Sequence, residues 1–422
     1  MSSPIPRPHI TGVPMYRAHA LSIAAALAVA LGACTDQPTQ PSEPTGRSAS
    51  AMPADATGPD AVAPQAIQPQ AARFWERLAS VRWNEVAGGL TETRTVNALR
   101  VYPYLSLAQF RAAEAASAVR PHPPISAAIA GASAAVLAHF FPDDLAVIDG
   151  ALATQAASPE WPGAKHADFA AGVAIGRDIG ARVIAWSAGD GVGLTDPGTP
   201  PVGDGFWSAN GGPTARGNLG ARRFFPATAT IAPPAPPAFG SAAFLDALAE
   251  VRNISDTRTA EQLAIANFWN LNQSPGRNGP MNALVRELVV AHHRNDLDAA
   301  RALFLANAAA FDALTSCFEA KYQYWYLRPA QADAGIVTAF PTPPHPSYPS
   351  AHSCISGAMT ETLAQLFPRE RERVEAVALE ASLSRIYAGI HYRFDATAGL
   401  GLGRAVAAAA VATNLATVAV LP

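Results

Sequence analysis

Apolar residues recur at helical spacing along most of the chain. The spacing of three and four is clear in EQLAIANFWNL, ARALFLANAAAFDALTSCF and RVEAVALEASLSRIY. Runs of β-branched residues are short, so strands are not favoured and the pattern predicts an all-α fold built from helical bundles. The predicted helices cover residues 72–90, 105–119, 124–140, 144–156, 166–187, 241–252, 258–271, 281–294, 297–327, 351–366, 370–391 and 395–418.

Two irregular stretches interrupt the helical pattern near the middle of the chain. These are GDGVGLTDPGTPPVGDGFWSANGGPTARGN and the proline-rich ATIAPPAPPAFGS. Glycine and proline break helices, and long loops of this kind often wall a functional site. The sequence therefore predicts an N-terminal helical half at 71–235 and a C-terminal helical half at 236–422.

The N-terminus has the features of an export signal. Leu21–Ala33 is a short apolar run that follows Arg17 and His19 and ends just before Cys34. Residues 1–33 resemble a bacterial lipoprotein signal peptide, which makes Cys34 the lipidated first mature residue. An uncleaved anchor or a plain secretory signal is the alternative. Residues 34–70, rich in Pro, Ser, Thr, Ala and Gln, predict a disordered tether. We expect a lipid-anchored protein of the bacterial cell envelope that faces the periplasm.

Composition excludes some classes of function. The chain has 422 residues, 49% of them hydrophobic and 15% charged, and a net charge of −3. This charge gives no sign of nucleic-acid binding, and no G-x4-G-K-(S/T) motif is present. The later apolar stretches are mostly alanine and favour buried helices, so the predicted membrane attachment is through Cys34 only. Cys317 and Cys354 flank the motifs described next, as buried thiols or as a disulfide.

The first motif is KYQYWYLRP, which contains Lys321 and Arg328. Residues seven apart on a helix share a face, so a continuous helix would present both cations together. Pro329 would place Arg328 at the C-terminal edge of that helix. Arginine can bind an anion through two donors, and lysine supplies a point charge. A solvated basic helix face is the alternative interpretation.

The second motif is PTPPHPSYPSAH, which leads into the predicted helix at 351–366. Its prolines fix φ repeatedly and stiffen the approach. Ser350 is a suitable N-cap, and a helix N-terminus presents free N–H groups that suit an anion. The Ser350 hydroxyl, the Ala351 N–H and the His352 ring are then expected to face that anion. An ordinary capped helix with an exposed histidine is the alternative.

The third motif is SRIYAGIHYRFD, which contains Arg385, His391 and Asp395. Arg385 and His391 are out of phase on a straight helix, so they can converge if the helix is broken or widened near Gly389, or if the anion lies between their reaches. Asp395 follows His391 by four residues, and its carboxylate can hold one ring nitrogen. A purely structural His/Asp pair is the alternative. Taken together, the three motifs predict a pocket around a tetrahedral oxyanion such as phosphate or vanadate.

In this combination the motifs resemble those of the vanadium-dependent haloperoxidases, within the type 2 phosphatidic acid phosphatase superfamily. That family's pattern is K-x6-R-P, P-S-G-H and S-R-x5-H-x3-D, and the chain departs from it at Ala351, where glycine is usual. If the backbone at this position needs a positive φ, an alanine there is strained. The resemblance extends upstream over about Trp83 to Arg404, and this coverage favours the haloperoxidase branch over the small phosphatases.

The resemblance implies a role for each matching residue. His391 would ligate vanadium, or act as the nucleophile in a phosphatase, with Asp395 supporting it. His352 would be the acid–base residue. Asn272 stands about where some relatives carry an aspartate that supports this histidine. The oxyanion would be held by Lys321, Arg328, Ser350, Ala351 and Arg385.

The implied activity is the oxidation of halide by hydrogen peroxide with vanadate as cofactor, and phosphate can occupy the same site. His345 stands where bromoperoxidases carry histidine and chloroperoxidases carry phenylalanine, so bromide and iodide are the expected halides. A small organic acceptor is a further candidate partner. The alternatives are a periplasmic acid phosphatase that uses a phosphohistidine, and a non-enzymatic lipoprotein with a degenerate site.

Overall fold

The computed structural model describes residues 78–94, 96–120, 123–158, 165–209, 211–270 and 279–418, which belong to one compact unit. The predicted signal peptide, Cys34, the tether and Asn272 lie outside these residues. The helices are α1 Ala79–Thr93, α2 Ala98–Ala118, α3 Ile125–Phe140, α4 Leu145–Ala156, α5 Lys165–Ser187, α6 Ala242–Thr257, α7 Ala260–Phe268, α8 Gly279–Ala291, α9 Asp296–Tyr324, α10 Pro329–Ala332, α11 Ala351–Leu366, α12 Arg371–Tyr387 and α13 Arg393–Ala412.

The all-α prediction is confirmed: the described chain contains helices and one isolated bridge, between Phe206 and Tyr326, with no named strand. Helix α11 occupies the predicted range 351–366. The largest difference is at α2, which begins at Ala98 rather than at residue 105. The Asn97 side chain accepts from the backbone N–H of Leu99, and this cap starts the helix ahead of Pro103.

The long helix α9 is the centre of the fold. It packs against α2 from the N-terminal half and against α11 and α13 from the C-terminal half. Most of its residues are buried, because alanine, leucine and phenylalanine surround the helix on more than one face. Aromatic rings of Tyr104, Phe224 and Phe311 meet beside it at centroid distances of 5.2–6.4 Å. The two predicted halves therefore share one core.

Close packing of α11 against α13 depends on glycines in α13. A Cβ added to Gly399 would lie 2.7 Å from the carbonyl oxygen of Ser350, and one added to Gly403 would lie 2.3 Å from that of Cys354. Any side chain at these positions would force the two helices apart. The glycines thus allow α13 to lie directly against the start of α11, where the second motif ends.

Cys317 and Cys354 are both buried as free thiols. The disulfide left open by the sequence does not form in this structure. In the described part of the chain, no helix is both long enough and apolar enough to cross a membrane.

Candidate functional site

Lys321 lies fully buried near the C-terminal end of α9. Its Nζ donates to the carbonyl oxygens of Pro346 at 2.8 Å, Ser347 at 2.9 Å and Pro349 at 2.5 Å. An ammonium group has three N–H donors, so these carbonyls use all of them. Lys321 therefore anchors the proline-rich loop in addition to contributing a positive charge to the site.

The helical explanation for the spacing of Lys321 and Arg328 is wrong. Helix α9 ends at Tyr324, and Trp325 adopts a left-handed conformation with φ 49°. The chain is then extended up to Arg328, with φ −84° and ψ 154°, because a residue before proline disfavours the helical region. Arg328 reaches the site from this extended segment rather than from a shared helix face.

The Arg328 guanidinium lies between two histidines. Its Nη1 donates to the carbonyl of Ile390 at 2.7 Å and lies 2.9 Å from His391 Nε2. On the other side, Nη2 lies 3.0 Å from His345 Nδ1, while Nε donates to the carbonyl of His345 at 3.0 Å. Burial lowers the pKa of Arg328 to about 10, so it stays charged at neutral pH.

His391 is oriented by Asp395, as the sequence predicts. His391 Nδ1 lies 2.8 Å from Asp395 Oδ2, which also accepts from the Ser347 hydroxyl at 2.5 Å and from the Tyr392 N–H at 3.1 Å. Since Arg328 can only donate, its contact assigns the lone pair of His391 to Nε2 and the proton to Nδ1. The pKa of His391 lies well below its usual range, mainly because the ring is buried and further because Arg328 is positively charged.

Arg385 and His391 converge because α12 ends at Tyr387. Gly389 takes φ 77°, a left-handed conformation that glycine adopts without strain, and it turns the chain toward the site. Arg385 Nη2 donates to the carbonyl of Ala266 at 3.0 Å. The pKa of Arg385 is lowered to about 9, mainly because the side chain is buried and further because Arg328 carries the same charge.

Ser350 is the N-cap residue of α11, as predicted, and its hydroxyl is buried. In the described chain Ser350 Oγ has no hydrogen-bond partner, and its side chain makes no capping bond. Ala351 begins the helix and is not among the residues with positive φ, so alanine in place of glycine introduces no backbone strain. His352 Nε2 lies 2.9 Å from the carbonyl oxygen of Trp269, which fixes the ring.

A cavity of about 230 Å³ brings part of the predicted site together. Its wall includes the predicted site residues His345, Ala351, His352, Arg385 and His391. Lys321, Arg328, Ser350 and Asp395 are buried next to these residues but do not line the cavity. The wall also contains Asn97–Leu99 and Gly217–Asn218 from the N-terminal half.

The electrostatics of this site fit an oxyanion. Lys321, Arg328 and Arg385 are all at least 98% buried. In the described chain, Asp395 is the carboxylate whose negative charge acts on Lys321 and Arg328. Burying cations without equal negative charge is unfavourable. An anion bound at His391 Nε2 would supply that charge. The site is therefore suited to hold vanadate or phosphate.

Two contributors were not identified from the sequence. Ser347 adds a hydrogen bond to Asp395, and the Trp269 carbonyl contacts His352 Nε2. Asn218, from the irregular stretch between the halves, is also among the residues that line the cavity. The flanking prolines gave a signal for Ser347, since a stiff loop holds each of its side chains in place. A backbone carbonyl such as that of Trp269 leaves no trace in residue identity.

Comparison with known proteins relates this geometry to two groups. Residues 301–417 match the PAP2 superfamily. Two curated relatives, lipid A 1-phosphatases of Rhizobium etli and Rhizobium johnstonii, are each 42% identical over 57 residues, which is 14% of this chain. The match spans about a quarter of their length: 25% of the first and 23% of the second.

Solved structures match over most of the chain. A bacterial vanadium-dependent iodoperoxidase superposes with a TM-score of 0.61 and 22% identity, covering 83% of this chain and 97% of the other. An apo-type bacterial vanadium-dependent chloroperoxidase superposes with a TM-score of 0.58 and 14% identity, covering 74% and 92%. At these identities the likeness is one of fold, and it includes the N-terminal half that the PAP2 match leaves out.

Proposed function

We propose that the protein is a vanadate-dependent haloperoxidase that oxidises bromide or iodide with hydrogen peroxide. Two findings support this proposal: residues 301–417 match the PAP2 superfamily, and the helices have the fold of the vanadium-dependent haloperoxidases. The coarser conclusion, an enzyme of the phosphatase or haloperoxidase kind, follows from the family and the fold. The fold match over 97% of the iodoperoxidase chain supports the haloperoxidase branch.

The observation that carries the proposal is the unbalanced buried charge around His391 Nε2. Pre-placed donors that neutralise an oxyanion are usually the largest catalytic contribution. Arg328, Arg385, Ser350 and the first N–H groups of α11 would hold the oxygens, and His391 Nε2 would bind the anion. Vanadate bound there would supply Lewis-acid activation of hydrogen peroxide.

The protein's own residues would orient the ligand and move protons. Asp395 and Ser347 keep the His391 proton on Nδ1, which leaves the Nε2 lone pair for bonding. The Trp269 carbonyl accepts from His352 Nε2, so Nδ1 of that ring is the nitrogen available to take up and release protons. His352 is half-buried in the cavity wall, where a bound peroxide or leaving group would be within its reach.

The expected preference for bromide and iodide rests on His345. Its ring lies in the cavity wall, 5.3 Å from the Phe318 ring centroid and in contact with Arg328. Chloride is harder to oxidise and needs a drier, more activating site than a histidine provides. The solved iodoperoxidase acts on iodide, and the same halide is our first choice of substrate for this protein.

A periplasmic acid phosphatase is the alternative, favoured by the short matches to lipid A 1-phosphatases. In that reaction His391 Nε2 would attack the phosphorus, the ester oxygen would leave as an alcohol with a proton from His352, and water would then release phosphate from the phosphohistidine. Both reactions use the same buried charges, so the geometry of the site is common to them.

The two functions respond to vanadate in opposite ways. The purified full-length protein should be assayed with and without orthovanadate for triiodide formation from iodide and peroxide, and for phosphate release from a phenyl phosphate. A haloperoxidase gains activity with vanadate, whereas a phosphatase is inhibited because vanadate occupies its phosphate site. Phosphate release without halide oxidation would overturn the proposal and establish the alternative.

A further inference from the structure

Two side chains of the site are held by the C-terminal end of α7. Arg385 Nη2 donates to the carbonyl oxygen of Ala266 at 3.0 Å, and His352 Nε2 lies 2.9 Å from the carbonyl oxygen of Trp269. The last carbonyls of an α-helix have no partner inside the helix and form the negative end of its dipole, so they accept readily from N–H groups. Helix α7 therefore holds one anion-binding group and the group proposed to move protons.

Helix α7 is too short to keep this position by itself. It has nine residues, of which Ala266 is buried, while Leu263 and Phe268 are 39% and 41% exposed. Helices shorter than about 12–15 residues are marginal in water without tertiary contacts. The place of its C-terminal carbonyls is consequently set by the few contacts that attach α7 to the rest of the protein.

The first of these contacts hold the beginning and the middle of the helix. Arg258, just before α7, donates through Nε to the carbonyl of Tyr387 at 2.6 Å, where α12 ends. Ala266 packs in a small apolar cluster with Phe340 and Ile390. The Ala266 carbonyl that holds Arg385 is thus fixed by contacts that do not involve the last residue of this segment, Trp269.

Trp269 has an attachment of its own, to α12. Its side chain is buried, and its indole Nε1 donates to Glu380 Oε1 at 3.0 Å. Its backbone N–H donates to the carbonyl of Ile265 at 3.2 Å and closes the end of α7. An indole N–H can only donate, and a buried donor left unpaired is costly, so the Glu380 carboxylate keeps residue 269 in place against α12.

We propose that Glu380 is a positioning residue for proton transfer and that it acts on His352 through Trp269. A carbonyl oxygen can only accept, so the Trp269 contact fixes the His352 proton on Nε2 and leaves the Nδ1 lone pair toward the cavity. Without the bond to Glu380, Trp269 shifts, and the His352 ring loses the contact that sets its orientation and tautomer.

This inference rests on the proposed function at one point, the role of His352 in moving protons. The haloperoxidase and the phosphatase both use His352 in this way, so the inference is the same for either reaction. It concerns turnover rather than anion binding, because Arg385 is held by Ala266 and not by Trp269.

The test is Glu380→Ala. We expect kcat to fall about tenfold in the triiodide assay, or in the phosphate-release assay if the protein is a phosphatase, because a displaced proton-transfer group is less effective than a positioned one. The Kd for phosphate, measured by calorimetry, should stay unchanged. Glu380→Gln keeps an acceptor oxygen and should restore kcat. Wild-type kcat in Glu380→Ala, or a loss that Glu380→Gln shares, overturns the proposal.

Two further variants separate positioning from stability. The matched control is Glu372→Ala, an exposed glutamate of the same helix, which should leave kcat unchanged. Trp269→Phe keeps a buried ring but removes the indole N–H, so it should lower kcat as Glu380→Ala does. Combining both changes should give no additional loss, since each removes the same hydrogen bond. Additive losses, or a lower unfolding temperature with wild-type kcat, would show that the contact is only structural.

A spectroscopic measurement keeps this inference separate from the proposed function. Nitrogen NMR of the histidine-labelled protein without vanadate reports the His352 tautomer and requires no turnover; the signals are identified by their absence in His352→Ala. Burial lowers the pKa of His352 well below its usual range, so the ring is neutral at pH 7. We expect one Nε2–H tautomer in the wild type and a mixture in Glu380→Ala. A mixture in the wild type, or the same single tautomer in both proteins, contradicts the proposal whichever reaction the protein performs.

Discussion

Arg328 Nη1 donates to the lone pair of His391 Nε2 at 2.9 Å. Any group that bonds to Nε2 must replace this hydrogen bond, and the guanidinium is then left beside that group's oxygen atoms. The arginine thus holds the histidine in the tautomer that the reaction needs and is already in place to neutralise the incoming anion.

His391 and His352 should be separable by mutation. His391→Ala should abolish both vanadate binding and turnover, because it removes the bonding nitrogen. His352→Ala should keep oxyanion binding and lose about 10²–10⁴-fold in turnover, the usual contribution of a positioned proton donor. Calorimetry with orthovanadate and steady-state kinetics measure the two effects, and circular dichroism checks the fold. Full activity in either variant is incompatible with the assigned roles.

Phosphate should stabilise the protein against heat by occupying the site. A ligand that binds the folded state at 100 times its Kd adds about 2.7 kcal/mol to the free energy of unfolding. Scanning calorimetry should show a rise in unfolding temperature with phosphate but not with sodium chloride at the same ionic strength. Arg385→Gln should reduce the rise, since this side chain is one of the unbalanced cations. An equal rise in wild type and variant would place the bound phosphate elsewhere.

His345→Phe should change the relative rates for halides. Wild-type protein is expected to turn over bromide and iodide with little chloride, and the variant should alter this ratio or its pH dependence. Halide-dependent bromination and triiodide assays across pH provide the measurement. Rates that stay at wild-type values would show that His345 is not part of the halide site.

The same variant should change the pH dependence of stability. Burial and the charges of Lys321 and Arg328 lower the pKa of His345 well below its usual range, whereas the pKa of a histidine in the unfolded chain is ~6.5. Below that pH the unfolded chain binds a proton that folded His345 does not, so the wild-type free energy of unfolding falls with decreasing pH. His345→Phe lacks this contribution. As the pH is lowered, the free energy of unfolding of the variant, measured by denaturant titration, should fall less steeply than that of the wild type, by up to ~1.4 kcal/mol per pH unit.

Cys34 is expected to carry lipid and to attach the protein to a membrane of the cell envelope. Cys34→Ser should then release the protein into the soluble fraction after fractionation of expressing cells, and metabolic labelling with a fatty acid should mark only the wild type. A Cys34→Ser form that stays with the membranes would favour an uncleaved N-terminal helix instead.

Two glycines of α13 form a matched pair. Gly403→Ala would place a Cβ 2.3 Å from the Cys354 carbonyl, and overpacking of this kind destabilises by about 1–3 kcal/mol. Gly401 has no atom within 4 Å of such a Cβ, so Gly401→Ala should stabilise by roughly 0.5–1 kcal/mol through helix propensity. Chemical denaturation measures both, and loss of stability in the Gly401 variant would contradict the packing described for α13.

Most helices were predictable because they are long and strongly periodic, and α11 agrees with its predicted range at both ends. The four-residue α10 was not predicted, because so short a segment shows no periodicity. The path from Lys321 to Arg328 was not predictable, because Trp325 ends α9 in a left-handed conformation that its identity does not signal. The predicted helix at 370–391 ran past Gly389, and a break there was one of the alternatives that the sequence left open, since glycine commonly adopts the left-handed conformation found at this position.

The motif residues of the site were also predictable, but their surroundings were not. Motif spacing identifies groups that act on a ligand, whereas the Trp269 carbonyl contacts His352 only through tertiary packing. Local sequence carries no record of such contacts. The roles assigned to the motif residues stay predictions until the variants above are measured.

The buried charges set the charge state of the anion that the site prefers. Three carbonyl dipoles stabilise the Lys321 ammonium, but they are neutral groups and leave its unit charge in place. The formal charges are therefore +3 from Lys321, Arg328 and Arg385 and −1 from Asp395, a sum of +2. The site thus matches a doubly charged oxyanion, and a singly charged form of vanadate or phosphate would leave one buried positive charge without a counter-charge.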